Sequence, residues 1–364
     1  MKADRAAEIE AGDVRAEQAR GANPVLLDVR DDDEVMAWPL PGSVHIPLPD
    51  LDRTQAQRVA GRDVITVCAT GSRSLTAAER LSAWGINARS MRGGMVAWSQ
   101  VFDAAPIALG EGVEVVQFRR LGKGCLSYLV IAGDEAAVID PSWHVEQYLN
   151  AAKEHGAAIR AVVDTHLHAD HVSGARGLAQ DTGARLYLGS HDAFEFDGWK
   201  PITDGDAVPV GVIRLTALAA PGHTPGSLLW RIGDRALFTG DVLFLSGVGR
   251  PDLHGSIETA ARHLYSSLRR IAQLPGEIRI LPGHAPEDED ARPGTPHNRS
   301  LRAVLDGFSG LLSEEESFVA RAMRVPPPPP NAPKILQVNR RGEPIPEEEA
   351  VTLEAGPNRC AAQA

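Results

Sequence analysis

Between Thr165 and Gly174 the chain reads Thr165-His166-Leu167-His168-Ala169-Asp170-His171-Val172-Ser173-Gly174, which puts four metal-binding side chains within six residues. The preceding run, Arg160-Ala161-Val162-Val163-Asp164, has the apolar character of a buried strand. Ligand groups collect just past strand ends in α/β folds. Imidazole and carboxylate together suit zinc or iron rather than calcium or magnesium. Three later junctions each add one such residue: His223 in the turn 220–227, Asp241 after Ala236-Leu237-Phe238, and His284 after Ile280-Leu281-Pro282-Gly283. Two arrangements follow from these residues. In one, His166, His168 and His223 hold a first zinc, Asp170, His171 and His284 a second, and Asp241 bridges them, so that a zinc-activated water hydrolyses a thioester. In the other, two His and one carboxylate hold a single ion and leave positions open for O₂ and substrate. Spacing alone leans to the dinuclear arrangement.

A second chemical element lies near the start. Asp63-Val64-Ile65-Thr66-Val67 reads as a buried strand ending at Cys68, followed by Ala69-Thr70-Gly71-Ser72-Arg73 and an amphipathic run, Ser74 to Trp84. A thiol there opens a helix, among backbone N–H groups and beside Arg73, a setting that favours thiolate. A buried structural cysteine is the bland alternative. Cys125 reads as a buried thiol, and three widely spaced cysteines do not make a disulfide framework. Arg250, in a glycine-containing loop after Asp241, could bind an anionic substrate; a structural pair with Asp252 is the bland alternative, and the two are compatible, since the pair could orient the Arg.

The elements that must position these groups follow from the order of apolar runs. Strands are expected at 25–29, 44–46 and 63–67, and short helices at 13–20 and 74–84. The acidic run Asp31 to Glu34 reads as a solvated helix start. Residues 106–112 are expected as a linker, with strands at 113–118, 126–131 and 136–141 beyond it. His144 to His155 and Ile257 to Leu274 read as helices, and Ser313 with Glu316 as a capping box. Pro326 to Pro330 must be extended, Lys334 to Asn339 is apolar enough to dock back, and the acidic stretch beyond Arg341 is expected to be disordered. The remaining histidines, apart from His45 in the 44–46 strand, read as surface or capping residues. With 364 residues, 43% hydrophobic and 23% charged, the composition is that of a multi-domain soluble protein. No run approaches the ~20 apolar residues of a membrane span, no secretory leader is visible, and a net charge of −11 argues against nucleic-acid binding. A reducing, cytoplasmic setting is expected, and a homo-oligomer is left open.

Specific motifs resemble known families. Leu27-Asp28-Val29-Arg30, Pro41-Gly42-Ser43-Val44-His45-Ile46-Pro47-Leu48, the Cys68-to-Arg73 loop and Arg92-Gly93-Gly94-Met95-Val96-Ala97-Trp98 resemble a rhodanese domain. That resemblance implies a parallel sheet with flanking helices and a persulfide carried on Cys68. The short loop suits sulfur rather than phosphate. Trp38-Pro39-Leu40-Pro41 stands where many rhodaneses have a Gly-His pair. The metal motifs resemble the metallo-β-lactamase superfamily, implying an αββα fold, and within it the persulfide dioxygenases. Glyoxalase II usually differs before the second Asp-His and after the Gly-Arg.

The resemblances imply a rhodanese domain over 1–105, a persulfide dioxygenase domain over 113–325, and a partly docked segment over 326–364. The implied ligands of one iron(II) per chain are His166, His223 and Asp241, with His168, Asp170, His171 and His284 orienting them. The implied reaction is oxidation of a small thiol persulfide by O₂ to sulfite and thiol. It would be coupled to sulfur transfer between thiosulfate, or sulfite, and thiol at Cys68. The alternative is a zinc-dependent thioester hydrolase of the glyoxalase II kind with a rhodanese docking or sensor module.

Overall fold

Short apolar runs separated by turns become a parallel sheet over the first hundred residues. The computed structural model describes residues 7–286, 289, 292–308, 310, 312–356 and 358–362. The strands are β1 (Ala7–Ile9), β2 (Val25–Asp28), β3 (Val44–His45), β4 (Val64–Val67) and β5 (Ala88–Met91). They pair in the order β1-β5-β4-β2-β3, all parallel. The helices of this region are α1 (Ala11–Ala19), α2 (Asp32–Ala37), α3 (Arg53–Ala56), α4 (Ser72–Ala83) and α5 (Gly94–Trp98). Two apolar clusters form on the sheet, one around Leu27, Val64 and Leu81, the other around Ile65, Met91 and Met95. The acidic run does begin a helix: Asp31 and Glu34 form a reciprocal capping box at α2.

The remainder is a sandwich of two sheets with helices outside. The first sheet contains β6 (Phe102–Gly110), β7 (Val113–Arg120), β8 (Leu126–Ala132), β9 (Glu135–Ile139), β10 (Ala158–Val163), β11 (Arg185–Gly189) and β12 (Trp199–Ile202), in the order β12-β11-β10-β9-β8-β7-β6. The second uses β13 (Ala207–Val210), β14 (Ile213–Ala219), β15 (Leu228–Ile232), β16 (Ala236–Gly240), β18 (Arg279–Pro282) and β19 (Arg299–Ser300), in the order β13-β14-β15-β16-β18-β19. Between β16 and β18 lies β17 (Val248–Gly249). Val130, Ile139 and Val163 from one sheet meet Leu215, Trp230 and Phe238 from the other. Outside, α6 (Glu146–Glu154) and α7 (Ala175–Thr182) cover the first sheet. On the second lie α8 (Ile257–Ile271), α9 (Leu301–Gly307) and α10 (Glu315–Ala322). No helix among the described residues is long and apolar enough to cross a membrane.

Four expectations are corrected. Residues 106–112 are not a free linker: they belong to β6 and its turn into β7, which pairs along its whole length. Alternating burial explains this, since Ala105 and Ile107 point inward while their neighbours face water. Ser313 and Glu316 do not cap a helix: α10 starts at Glu315, and Glu316 accepts from Arg262 at 2.7 Å. The described residues beyond Arg341 form regular elements. After α11 (Ala332–Arg341) come α12 (Glu347–Glu354) and β20 (Ala361–Ala362), which pairs antiparallel with β17. What holds it is specific: the fully buried Glu354 pairs with Arg120 and accepts from Val172 N and from Trp143 Nε1 (3.0 Å). His297, expected at the surface, is buried, with Nδ1 2.8 Å from Glu289.

Arg120 joins three parts of the molecule. It bonds Glu354 of α12, the Ser99 carbonyl and Gln100 Oε1 (2.9 Å) from the first region, while standing on β7 itself. Trp38 adds a second link, its indole donating to the Gly122 carbonyl. The departure from the rhodanese pattern at 38–41 is thus a buttress against the sandwich.

Candidate metal centre

Parallel register brings the chemistry to one edge. β9, β10 and β11 run parallel, as do β16 and β18, so their C-terminal ends lie side by side. Those ends release Asp140, the 164–171 loop, Asp192, Asp241 and His284, and the β14–β15 turn adds His223. All are buried.

His166, His223 and Asp241 each offer one ligand atom, and the three atoms lie within 4.8 Å of one another. Atoms bound to one zinc or iron at about 2.0–2.2 Å stand roughly 3–4.2 Å apart. Here His223 Nε2 is 3.6 Å and His166 Nε2 3.9 Å from Asp241 Oδ2. All three atoms are buried without a hydrogen-bond partner. Leaving such atoms unpaired is costly unless a cation completes them. The far atom of each residue is fixed. His223 Nδ1 donates to the Arg250 carbonyl (2.9 Å). Thr165 Oγ1 donates to Asp140 Oδ2 (2.8 Å), so it accepts from His166 Nδ1 (2.9 Å). Asp241 Oδ1 accepts from His284 Nδ1 (2.8 Å). Each bond leaves the near atom as a free lone pair, the arrangement a metal requires. The residues fit a divalent zinc or iron ion.

The other candidates are engaged differently. His284 Nε2 sits 2.9 Å from Asp170 Oδ2, so both His284 nitrogens face carboxylates. Burial alone would lower the His284 pKa, but Asp241 and Asp170 outweigh it and raise it well above the usual range. His168 Nε2 turns to Asp140 Oδ1 at 3.3 Å and Asp164 Oδ1 at 3.9 Å, within charge attraction though not aligned for a hydrogen bond. Burial opposes that charge, yet the carboxylates raise the His168 pKa to about 9. His171 Nδ1 is 3.2 Å from Asp170 and its Nε2 is unpartnered. His168, Asp170 and His171 therefore form a second set within 4.8 Å.

Arg250 does not face a free space. It is 1% exposed and donates to Asp252 (2.6 and 2.7 Å), to the Arg359 carbonyl (2.9 Å) and to the Pro326 carbonyl (2.5 Å). The expected Arg250–Asp252 pair is present. The expected substrate contact is not what the geometry shows: the side chain clamps the C-terminal part of the chain. Its neighbour Gly249 is required by space, since a Cβ there would meet the Asp241 carbonyl at 1.7 Å.

Several functional-site residues were missed from sequence. Asp192 accepts from Leu167 N (2.8 Å), Thr224 Oγ1 (3.1 Å) and Gly226 N (2.9 Å), tying the His166 loop to the His223 turn. Asn339 of α11 donates to the carbonyls of His168 (2.9 Å) and His171 (2.8 Å). Asp140 takes a positive φ of 52° while holding Thr165 N at 2.6 Å. Position just past strands β9 and β11 was the available signal for Asp140 and Asp192. Nothing local pointed to Asn339. Cys360 is buried, and its sulfur lies within 4.8 Å of ligand atoms of Asp241 and His284.

In the first region Cys68 follows β4, with Gly71 N donating to its sulfur (3.1 Å) and Ser74 Oγ 3.5 Å away. Burial would raise the Cys68 pKa, but the Ser74 hydroxyl and the N–H groups of Ser74, Thr70 and Gly71 bring it below the usual thiol value. Arg73, expected beside the sulfur, is held by Glu34 (2.6 Å) and Asp31 (3.2 Å). Ala69, Thr70, Gly71 and Ser72 complete the turn into α4. A Cβ at Gly94 would meet the Cys68 carbonyl at 2.1 Å, so only glycine lets α5 pack under this loop.

Residues 121–284 match the Metallo-beta-lactamase superfamily and residues 10–101 the Rhodanese-like domain. The chain is 36% identical to the hydroxyacylglutathione hydrolase of Anaeromyxobacter dehalogenans over 190 residues, 51% of this chain and 72% of that one. It is 34% identical over 184 residues to the mitochondrial persulfide dioxygenase ETHE1 of Bos taurus, 48% of this chain and 70% of that one. The ETHE1 crystal structure from Myxococcus xanthus superposes with a TM-score of 0.53 at 27% identity, covering 66% of this chain and 98% of that one. Against the Beta-lactamase hydrolase-like protein of Xylella fastidiosa (strain Temecula1), 33% identical over 61% of this chain, the match spans 55% of the relative's length. The chain belongs to the metallo-β-lactamase superfamily and carries a rhodanese-like domain ahead of that fold.

Proposed function

We propose that this protein oxidises a low-molecular-weight thiol persulfide to sulfite and thiol at one iron(II) held by His166, His223 and Asp241. The observation that carries this reading is that three unpartnered, buried atoms converge from two histidines and one carboxylate. The ETHE1 relatives support it. Such an ion supplies open positions for O₂ and for sulfur. The balance is RSSH + O₂ + H₂O → RSH + SO₃²⁻ + 2H⁺. The chain's own residues orient the ligands: Arg250 and Thr165 fix the two ring tautomers, and His284, backed by Asp170, holds the Asp241 carboxylate. At Cys68 the thiolate attacks the outer sulfur of thiosulfate, sulfite leaves, and the resulting persulfide passes its terminal sulfur to a small thiol. That second step makes the substrate of the metal centre.

A zinc-dependent thioester hydrolase is the second reading. The set His168, Asp170 and His171, and the hydroxyacylglutathione hydrolase relatives at 36% and 33% identity, favour it. Metal analysis of freshly purified protein, combined with O₂ uptake on glutathione persulfide, tests both. About one iron per chain with O₂ uptake, both lost in His223→Ala, is expected. Two tightly bound zincs in protein that hydrolyses thioesters and consumes no O₂ would replace the first reading with the second.

A further inference from the structure

Cys360 stands far from every motif in the sequence, yet the fold delivers its sulfur to the metal centre. The delivery is built from several bonds. Strand β20 pairs with β17 just after the Asp241 loop, Val248 opposite Ala362 and Gly249 opposite Ala361. Arg250 N donates to the Cys360 carbonyl (2.9 Å), and Asn358 Oδ1 accepts from Cys360 N (2.9 Å). The Arg250 guanidinium grips the Arg359 carbonyl. The Arg250 carbonyl in turn accepts from His223 Nδ1, so one residue fixes both a candidate ligand and the strand that carries Cys360.

We propose that Cys360 is a further ligand of the metal held by His166, His223 and Asp241, supplied by the C-terminal strand. The sulfur lies within 4.8 Å of Asp241 and of His284. Metal–sulfur and metal–oxygen bonds of about 2.3 and 2.0–2.2 Å put two ligands of one ion within roughly 4.5 Å of each other. Asp241 Oδ2, His166 Nε2 and His223 Nε2 are buried and unpartnered. Thiolate is also a soft ligand that zinc and iron both accept. An incoming sulfur would have to share the ion with Cys360 or displace it, which makes the segment 358–362 a removable cover. The inference needs a metal at this centre but does not depend on which reaction follows.

Cobalt(II) loading of the full chain tests it without an activity readout. Wild type and Cys125→Ser should bind about one cobalt and show a sulfur-to-cobalt charge-transfer band in the near ultraviolet. Cys360→Ser and Cys360→Ala should bind the same amount of cobalt and lack the band. Equal uptake with no band in wild type, or a band that survives Cys360→Ser and disappears in Cys125→Ser, overturns the role of Cys360 while leaving the metal centre standing. Failure of all four proteins to take up cobalt overturns the centre and this inference together.

Discussion

The rhodanese-like loop and the metal centre each bury a cysteine environment, and they treat sulfur oppositely. Cys68 is 1% exposed, Cys360 6% and Cys125 8%. Burial alone would raise all three thiols, and Cys68 least, because it lies less deep in the fold than the other two. Instead its pKa falls, because hydrogen bonding with the Ser74 hydroxyl and donation by the loop N–H groups outweigh desolvation. Cys125 and Cys360 rise, first through burial and then through the carboxylates around them, Asp170 beside both and Asp241 beside Cys360. What faces a thiol and how deeply it lies together decide its state. A loop of donors makes a nucleophile without a metal, whereas a carboxylate-lined edge keeps thiols neutral until a cation arrives.

The largest test of this contrast separates the two regions. Cys68→Ser should reduce sulfur transfer from thiosulfate to background while leaving O₂ uptake on supplied persulfide nearly intact. Asp241→Ala should do the reverse, with loss of bound metal. Sulfite, thiosulfate and O₂ measured together on both variants check it, and loss of both activities in either folded variant would show that the regions act as one site.

The next effect concerns the joint between them. Arg120→Met leaves Glu354 buried without its partner and should cost about 3–5 kcal/mol in urea unfolding, the usual range for half of a buried pair. Replacing both by apolar residues should cost less. Burial would raise the Glu354 pKa, but Arg120 and Lys123 hold it below the usual carboxylate value. Its stabilisation is therefore present above the unfolded value of about 4.3 and lost as pH falls through the folded one. Glu354→Gln should flatten stability against pH in that acid range, and an unchanged curve would remove Glu354 from the account.

The smallest effect sharpens the Cys68 half. Thiolate increases with pH, so sulfur transfer should rise and level off below the usual thiol range. Ser74→Ala removes one hydrogen bond worth about 0.5–1.5 kcal/mol. The midpoint should move up by about 0.4–1 pH unit. A midpoint that stays put would assign the thiolate to the backbone N–H groups alone.

Period and spacing in the sequence determined much of this. The strands ending at Val67, Val163, Gly240 and Pro282, the Cys68 loop, and the pool of candidate ligands from His166 to His284 were legible because a buried strand is a short apolar run and its end is where polar groups emerge, whereas singling out His166, His223 and Asp241 rested on the family resemblance. Tertiary structure alone decided the rest. Residues 106–110 became strand because β7 offered an edge to pair, which no local propensity encodes. The stretch beyond Arg341 is polar enough to read as unfolded, yet Glu354 and Cys360 each find partners more than 100 residues away. Composition averages over such residues, whereas one buried carboxylate meeting one buried guanidinium is a pairwise fact. It exists only once both strands and helices are in place.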